Sequence, residues 1–175
     1  MKNILILCTG NSARSILAEA LFNSIGKGRV RAYSAGSKPK GEPHPAAIAL
    51  LQEKGFETGL FRSKSWDEFA LPDAPEMDMV FTVCDAAAGE SCPLWPGAPV
   101  RSHWGIEDPA VIGGAGQRAA FEAAYDRLTG RIQAFMELPF ETMPVADLKQ
   151  ALDEIGRESE GATHGLDNYP AKATG

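Results

Sequence analysis

The chain has 175 residues, of which 44% are hydrophobic, and this favours one ordinary α/β domain with its own core over two full domains. The formal net charge of -6 makes the surface as a whole a poor partner for nucleic acid or an anionic membrane. An anionic ligand would therefore have to be captured at a local site.

The first half of the chain alternates strands and helices. Residues 3–7 form an aliphatic run of Ile and Leu after one Asn, which predicts a central parallel strand buried on both faces. The strand ends at Cys8, and a polar, glycine-containing turn follows. Residues 15–25 then place their apolar side chains on one helical face. A second strand is predicted over 30–34 and a second helix over 45–54.

The second half continues this alternation. Strands are predicted over 79–83 and 100–104, and a long helix over 117–138. Alternation of this kind predicts a single-domain, three-layer α/β fold with a central four-stranded parallel sheet flanked by helices. We assign residues 1–138 to this domain and 139–175 to a C-terminal extension. In it, one helix over 144–155 precedes a polar tail, 156–175, that we expect to be mobile.

The cysteines indicate the compartment. The N-terminal run lacks a signal-peptide cleavage pattern, and no segment approaches the length of a membrane span. Three cysteines, an odd number, argue against a disulfide framework and for reduced thiols. We therefore expect a cytoplasmic monomer that binds neither nucleic acid nor membrane.

The sequence CTGNSARS, residues 8–15, lies between the first strand and the first helix. In such a loop, backbone N–H groups and the positive end of the helix dipole point at one position where a tetrahedral oxyanion can bind. Cys8 would lie at its floor, with a pKa lowered from about 8.5 to roughly 3.5 to 7.5. The predicted oxyanion-binding residues are Thr9, Gly10, Asn11, Ser12, Ala13 and Arg14.

The individual side chains of this loop suit that chemistry. The planar fork of Arg14 can bind two oxygens of an anion. Ser15 can donate its hydroxyl to the Cys8 sulfur, and Asn11 suits a left-handed backbone conformation. Taken singly, Cys8 could be a small core residue and Arg14 a surface charge. Their joint spacing at a strand-to-helix junction favours an anion site.

Here the chain resembles the low-molecular-weight protein tyrosine phosphatase superfamily, whose signature is Cys, five residues, Arg, then Ser or Thr. The resemblance covers roughly residues 1–138 and includes the tripeptide at 34–36. It implies that Cys8 is the nucleophile, and that Asp108, followed by Pro109, is the catalytic acid.

Two further cysteines bear on the reaction, because phosphate and arsenate are nearly isosteric. The segment FTVCDAAAGESCP contains Cys84 and Cys92, and resembles the arsenate reductases of the superfamily, as does HWGIEDPA around Asp108. That resemblance implies a relay: Cys8 forms an adduct with arsenate, Cys84 attacks Cys8 and releases arsenite, and Cys92 carries the disulfide outward. Thioredoxin is the first expected electron donor, and glutaredoxin with glutathione the second.

Two alternatives stay open. The runner-up is a tyrosine phosphatase that uses Cys8, Arg14 and Asp108, with Cys84 and Cys92 incidental or protecting Cys8 from oxidation. A non-catalytic oxyanion-binding module is the third, although binding alone needs neither a thiolate nor an acid.

The relay has a geometric requirement. Eight helical steps rise about 12 Å, whereas the Cα atoms of a disulfide lie about 5.5 Å apart. We expect residues 85–91 to be helical in the reduced enzyme and to unwind before Cys84 joins Cys92. Gly89 would ease this release.

No tightly bound cofactor is expected. The resemblance to some relatives implies a potassium ion near the loop, and the matching residues are Asn11, Glu19, Ser34 and Asp67.

Overall fold

The computed structural model describes residues 1–90, 95, 97 and 99–158. Four parallel strands form one sheet in the order β2-β1-β3-β4. They are β1 (Lys2–Leu7), β2 (Val30–Ala35), β3 (Met79–Thr82) and β4 (Val100–His103). The predicted parallel four-stranded sheet is thereby confirmed.

Five α-helices connect and cover these strands, and three short 3₁₀ turns accompany them. The helices are α1 (Arg14–Ile25), α2 (Pro45–Glu53), α3 (Asp85–Gly89), α4 (Gln117–Met136) and α5 (Val145–Arg157). The 3₁₀ turns span Trp66–Ala70, Pro109–Val111 and Gly114–Gly116. Across these described stretches, every helix is too short or too polar to cross a bilayer.

The sheet divides the core in two because side chains alternate along a strand. Ile4 and Ile6 of β1 face the larger core, to which all five helices contribute buried residues. Leu5 and Leu7 face a smaller core, which is covered by the 3₁₀ turn around Phe69 and by Trp95. Both faces of β1 are fully buried, as its continuous aliphatic run predicts.

The strand order decides where a ligand can bind. From β1 the chain crosses to β2 on one side, and later to β3 on the other, so β1 and β3 are neighbours whose connections diverge. In open α/β sheets, ligands bind at such a switch point, beyond the carboxyl ends of the strands. Leu7 pairs with Thr82 in the register, which brings Cys8 and Cys84 to the same edge.

Helix α5 packs on β4, the edge strand. The indole N–H of Trp104 donates to the carbonyl of Leu152 at 2.9 Å, and Ser102 donates to Asp153 at 2.8 Å. Gly156 lies inside α5, where the sequence predicted the tail to begin. A side chain there would meet the carbonyl of His103 at 2.4 Å, so the glycine permits close packing. The predicted tail, 156–175, is therefore wrong in its first two residues, which belong to α5, and its part from 159 onward lies outside the described residues.

Candidate active site

The loop at 8–15 is held against the end of β2. The amide of Cys8 donates to the carbonyl of Ala35 at 3.2 Å, and the amide of Lys38 donates to the carbonyl of Thr9 at 2.9 Å. Gly36 is required between them, because a Cβ there would lie 2.4 Å from the carbonyl oxygen of Thr9. Asn11 adopts the left-handed conformation that the sequence predicts, with a φ of 43°.

The loop amides differ in whether they already have a partner. The amide of Gly10 lies close enough to the Cys8 sulfur to lower the pKa of that thiol slightly. Within the described part of the chain, the amides of Asn11, Ser12 and Ala13 have no acceptor, and they are available to an oxyanion. The amide of Thr9 differs from the prediction, because it donates to the sulfur of Cys84 at 3.4 Å.

A buried polar frame supports the loop from below. The Asn11 amide donates to the hydroxyls of Ser15 and Ser34 at 2.9 and 3.0 Å, and its carbonyl accepts the Lys64 amide at 2.9 Å. The Ser15 hydroxyl accepts from Asn11, and the described contacts include no hydrogen bond from it to Cys8. The left-handed turn at Asn11 places its side chain beneath the loop, and Ser15 joins that frame instead of the sulfur.

Arg14 connects the loop to the segment after β4. Its guanidinium donates to the carbonyl of Ile106 at 3.0 Å and lies 3.4 Å from a carboxylate oxygen of Asp108. The Nε–H is buried and has no acceptor among the residues that the structure describes. This arrangement fixes the fork and leaves a donor for an anion.

Asp108 begins the 3₁₀ turn Pro109–Val111. One carboxylate oxygen caps this turn by accepting the Ala110 amide at 3.0 Å, and the other faces Arg14. Its side chain is 31% exposed, so it can exchange protons with solvent. The residue is therefore both a turn cap and an acid positioned at the loop.

A cavity of about 330 Å³ opens above Cys8. Its described lining consists of Cys8, Thr9, Gly10, Ser12, Ala13, Arg14, Lys38, Lys40 and Asp108. No aromatic side chain belongs to this described lining, and sequence analysis did not single out the two lysines. The two lysines come shortly after the tripeptide 34–36. Because that tripeptide is part of the family resemblance, it could have indicated that the segment after it lies beside the loop.

Cys84 lies directly beside the loop. Both Cys8 and Cys84 are free and buried, and each thiol is the largest cause of the shift in the other's pKa. Cys84 also caps α3, since its sulfur accepts the amide of Ala87 at 3.3 Å as well as that of Thr9.

These contacts divide the charge of the pair unequally. The hydrogen bond from Cys8 is the largest cause that lowers the pKa of Cys84 to about 5, and the Ala87 and Thr9 donors add to it. The pKa of Cys8 is raised, first by donation to Cys84 and then by burial, although Arg14 opposes this. The predicted lowering of the Cys8 pKa is therefore wrong for this arrangement. The amides of Thr9 and Ala87 both donate to the Cys84 sulfur, so these contacts favour the thiolate on Cys84.

The segment after Cys84 is helical, as predicted, in its described part. Helix α3 has only five residues, and Asp85 in its first turn is held by His103, whose Nε2 lies 2.8 Å from the carboxylate. Cys92, the third cysteine of the predicted relay, lies outside the described residues.

The residues predicted to hold potassium are only partly assembled. Ser34 donates a short hydrogen bond to Glu19, and Asn11 directs its amide nitrogen at Ser34. Of the described contacts, none joins Asp67 to this group. The buried ammonium of Lys64 lies 3.9 Å from the Glu19 carboxylate. This donor set does not fit a potassium ion, because a protein cation already faces the carboxylate.

We expect Lys64→Met to destabilise the fold by about 3 to 5 kcal/mol, because it leaves the buried Glu19 carboxylate without its partner. Burial raises the pKa of Glu19, so protonation relieves the lone carboxylate, and the loss should shrink as the pH falls toward 5. Thermal unfolding in KCl and NaCl of equal ionic strength provides the measurement, with the surface variant Lys149→Met as control. A wild-type midpoint that rises only in KCl would contradict this assignment.

The chain is similar to known proteins of one family. Residues 3–152 match the family described as low molecular weight phosphotyrosine protein phosphatase. The arsenate reductase of Bacillus licheniformis is 36% identical over 138 residues, which cover 78% of this chain and 96% of that protein. The solved arsenate reductase from Archaeoglobus fulgidus is 30% identical, with a TM-score of 0.57 over 74% of this chain and 98% of its own. A low molecular weight protein tyrosine phosphatase from T. tengcongensis shares the fold at 23% identity, with a TM-score of 0.62 over 78% and 99% of the two chains.

Proposed function

Because the chain belongs to the low molecular weight phosphotyrosine protein phosphatase family, we propose that it is a cytoplasmic arsenate reductase. The observation that carries this proposal is a second free, buried thiol at the oxyanion loop: the sulfur of Cys84 accepts the amide of Thr9, the residue after Cys8, at 3.4 Å. A phosphatase regenerates its thiolate with water and needs no second thiol. Reduction of arsenic needs two electrons, which two adjacent thiols supply when they form a disulfide.

The first step is formation of the adduct. Arsenate binds to the free loop amides and the Arg14 fork, and the Cys8 proton moves along its hydrogen bond to Cys84. The Cys8 thiolate attacks arsenic, so one S–As bond forms and one As–O bond breaks. Protonated Asp108 gives its proton to the leaving oxygen, which departs as water. Arsenic is still pentavalent at this point.

The second step carries the two electrons. The Cys84 sulfur attacks the Cys8 sulfur, so an S–S bond forms and the S–As bond breaks with its electron pair remaining on arsenic. The proton of Cys84 passes to an oxygen of the departing arsenite. Arsenic is reduced from the pentavalent to the trivalent state, and the two thiols are oxidised to a Cys8–Cys84 disulfide.

The third step restores the nucleophile. Cys92 attacks Cys84 and releases Cys8 as a thiolate, which moves the disulfide to Cys84–Cys92. Helix α3 must unwind for this exchange, and its five residues and exposed first turn make that opening inexpensive. A dithiol donor then returns two electrons. Thioredoxin is the first choice, and glutaredoxin with glutathione the second.

The second candidate function is phosphotyrosine hydrolysis by Cys8, Arg14 and Asp108. The observation in its favour is that Asp108 lines the same cavity as Cys8 and Arg14, where a general acid can reach the leaving oxygen of a bound ester. The described lining of the cavity contains no aromatic side chain that would hold a tyrosine ring.

Arsenate-dependent oxidation of NADPH, coupled through thioredoxin and its reductase, tests the proposal when arsenite is measured in parallel. We expect wild type to consume one NADPH per arsenite formed, and Cys8→Ser to show background only. Cys92→Ser should release one arsenite per enzyme and then stop as a Cys8–Cys84 disulfide. Rapid hydrolysis of an aryl phosphate, with no arsenite from either donor system, would instead establish the phosphatase.

A further inference from the structure

Two lysines that the proposed chemistry does not use stand at the mouth of the cavity. Lys38 and Lys40 line it together with Cys8, Arg14 and Asp108. Both ammonium groups belong to exposed residues, and neither forms a salt bridge with any described residue. The segment that carries them is fixed to the loop at both positions, because their amides donate to the carbonyls of Thr9 and Gly10 at 2.9 and 3.0 Å.

The side chain of Lys40 lies across the loop itself. A Cβ added at Gly10 would meet Cε of Lys40 at 3.2 Å and its Cδ at 3.4 Å. The absence of a side chain at Gly10 therefore makes room for the aliphatic stem of Lys40. Lys38 enters the same cavity two residues earlier, so the two cations are placed together at one opening.

The charges inside the cavity show why these cations matter. Arg14 brings one positive charge, but Asp108 lies 3.4 Å away and the Cys8–Cys84 pair carries a thiolate. The charge of Arg14 is thus offset by the facing carboxyl group and by the thiols beneath it, and the whole chain has a charge of -6. A dianion would be repelled from such a site. The two lysines reverse the local sign.

We propose that Lys38 and Lys40 form a cationic rim that selects small inorganic dianions, arsenate and phosphate, over organic phosphate esters. An inorganic oxyanion seated on the loop presents its outermost oxygen to the cavity mouth, where an ammonium can bind it. In an ester this oxygen carries the organic group, so the rim has less charge to bind and must accommodate a bulky substituent. This inference rests on the proposed function, since it names what the same site selects.

The matched pair of variants Lys38→Ala/Lys40→Ala and Lys54→Ala/Lys149→Ala tests the rim. Each removes two positive charges, but Lys54 lies at the far end of α2 and Lys149 on α5. The readout is the concentration of inorganic phosphate that protects the two cysteines from iodoacetamide, alongside the KM for an aryl phosphate. Phosphate protection requires no reduction of arsenate, so it separates failure of this inference from failure of the proposed function.

For the rim variant we expect about tenfold weaker phosphate protection at low ionic strength, with most of the difference lost in high salt. Its KM for the aryl phosphate should change much less, and the control variant should match wild type in both measurements. Unchanged protection in the rim variant, or an equal loss for phosphate and the ester, would overturn the proposal. Thermal unfolding checks that the variants remain folded.

Discussion

Replacement of Cys84 by serine should abolish thioredoxin-coupled arsenate reduction, while hydrolysis of an aryl phosphate survives within a few-fold of wild type. The reason is that the second electron-carrying sulfur is lost, whereas Arg14 and Asp108 keep their contacts and a serine oxygen can still accept the Thr9 amide. A hydroxyl cannot form the disulfide that releases arsenite. Arsenite release and hydrolysis measured on the same preparations give the comparison. Equal loss of both activities would mean that Cys84 supports the loop and carries no electrons.

The same substitution should move the thiolate to Cys8. Donation to Cys84 is the largest cause of the raised Cys8 pKa, so its removal leaves Arg14 and the Gly10 amide to lower that pKa against burial. In wild type, alkylation by iodoacetamide should fall as the pH drops through about 5, because the pKa of Cys84 is lowered to about 5 and its thiolate protonates there.

Mass spectrometry of the alkylated protein assigns the reactive sulfur. We expect the label on Cys84 in wild type near pH 6, and on Cys8 in Cys84→Ser at neutral pH. Cys8 labelled first in wild type under the same conditions would reverse the charge assignment. Cys92→Ser serves as the control, since it removes a thiol without touching the hydrogen bond between the other two.

The sheet could be predicted from the sequence because the patterns that indicate its strands are local. The aliphatic run of β1 needs cover on both faces, and it ends at a loop whose small residues and Asn11 suit an anion cradle. The meeting of Cys8 and Cys84 follows from topology, since β1 and β3 are parallel neighbours. Once β1 and β3 are predicted to be parallel neighbours, the residues that follow them, Cys8 and Cys84, are expected to meet at the same edge.

The remaining features depend on contacts between distant segments. The amide of Lys64 binds the Asn11 side chain across 53 positions, and its ammonium takes the place expected for potassium beside Glu19. The lowered pKa of Cys84 depends in part on the amides of Thr9 and Ala87, which converge on its sulfur from two separate segments. Local patterns carry no information about such convergence, which is why the pKa of Cys8 was predicted in the wrong direction.

Arg14→Lys should lower kcat/KM by about 10² to 10³ for both arsenate reduction and aryl phosphate hydrolysis. An ammonium cannot bind two anion oxygens in one plane, and it is too compact to reach Ile106 and Asp108 together as the guanidinium does. Both reactions place a tetrahedral anion on the same fork, so both should suffer to a similar extent. The matched control is Arg118→Lys, an exposed arginine on α4 whose partners are surface carboxylates.

Alkylation of Cys84 in the Arg14→Lys variant distinguishes a loss of anion binding from general damage to the loop. If Arg14 acts through the anion, the variant should still alkylate at Cys84, because the donors from Thr9, Ala87 and Cys8 remain in place. Phosphate should no longer protect it. A variant that loses its alkylation together with its activity would show that Arg14 maintains the loop through Ile106, and that the nearby charge is secondary. Retained activity for arsenate alone would show that the free loop amides bind the inorganic anion without the fork, so the guanidinium would be needed only for an ester.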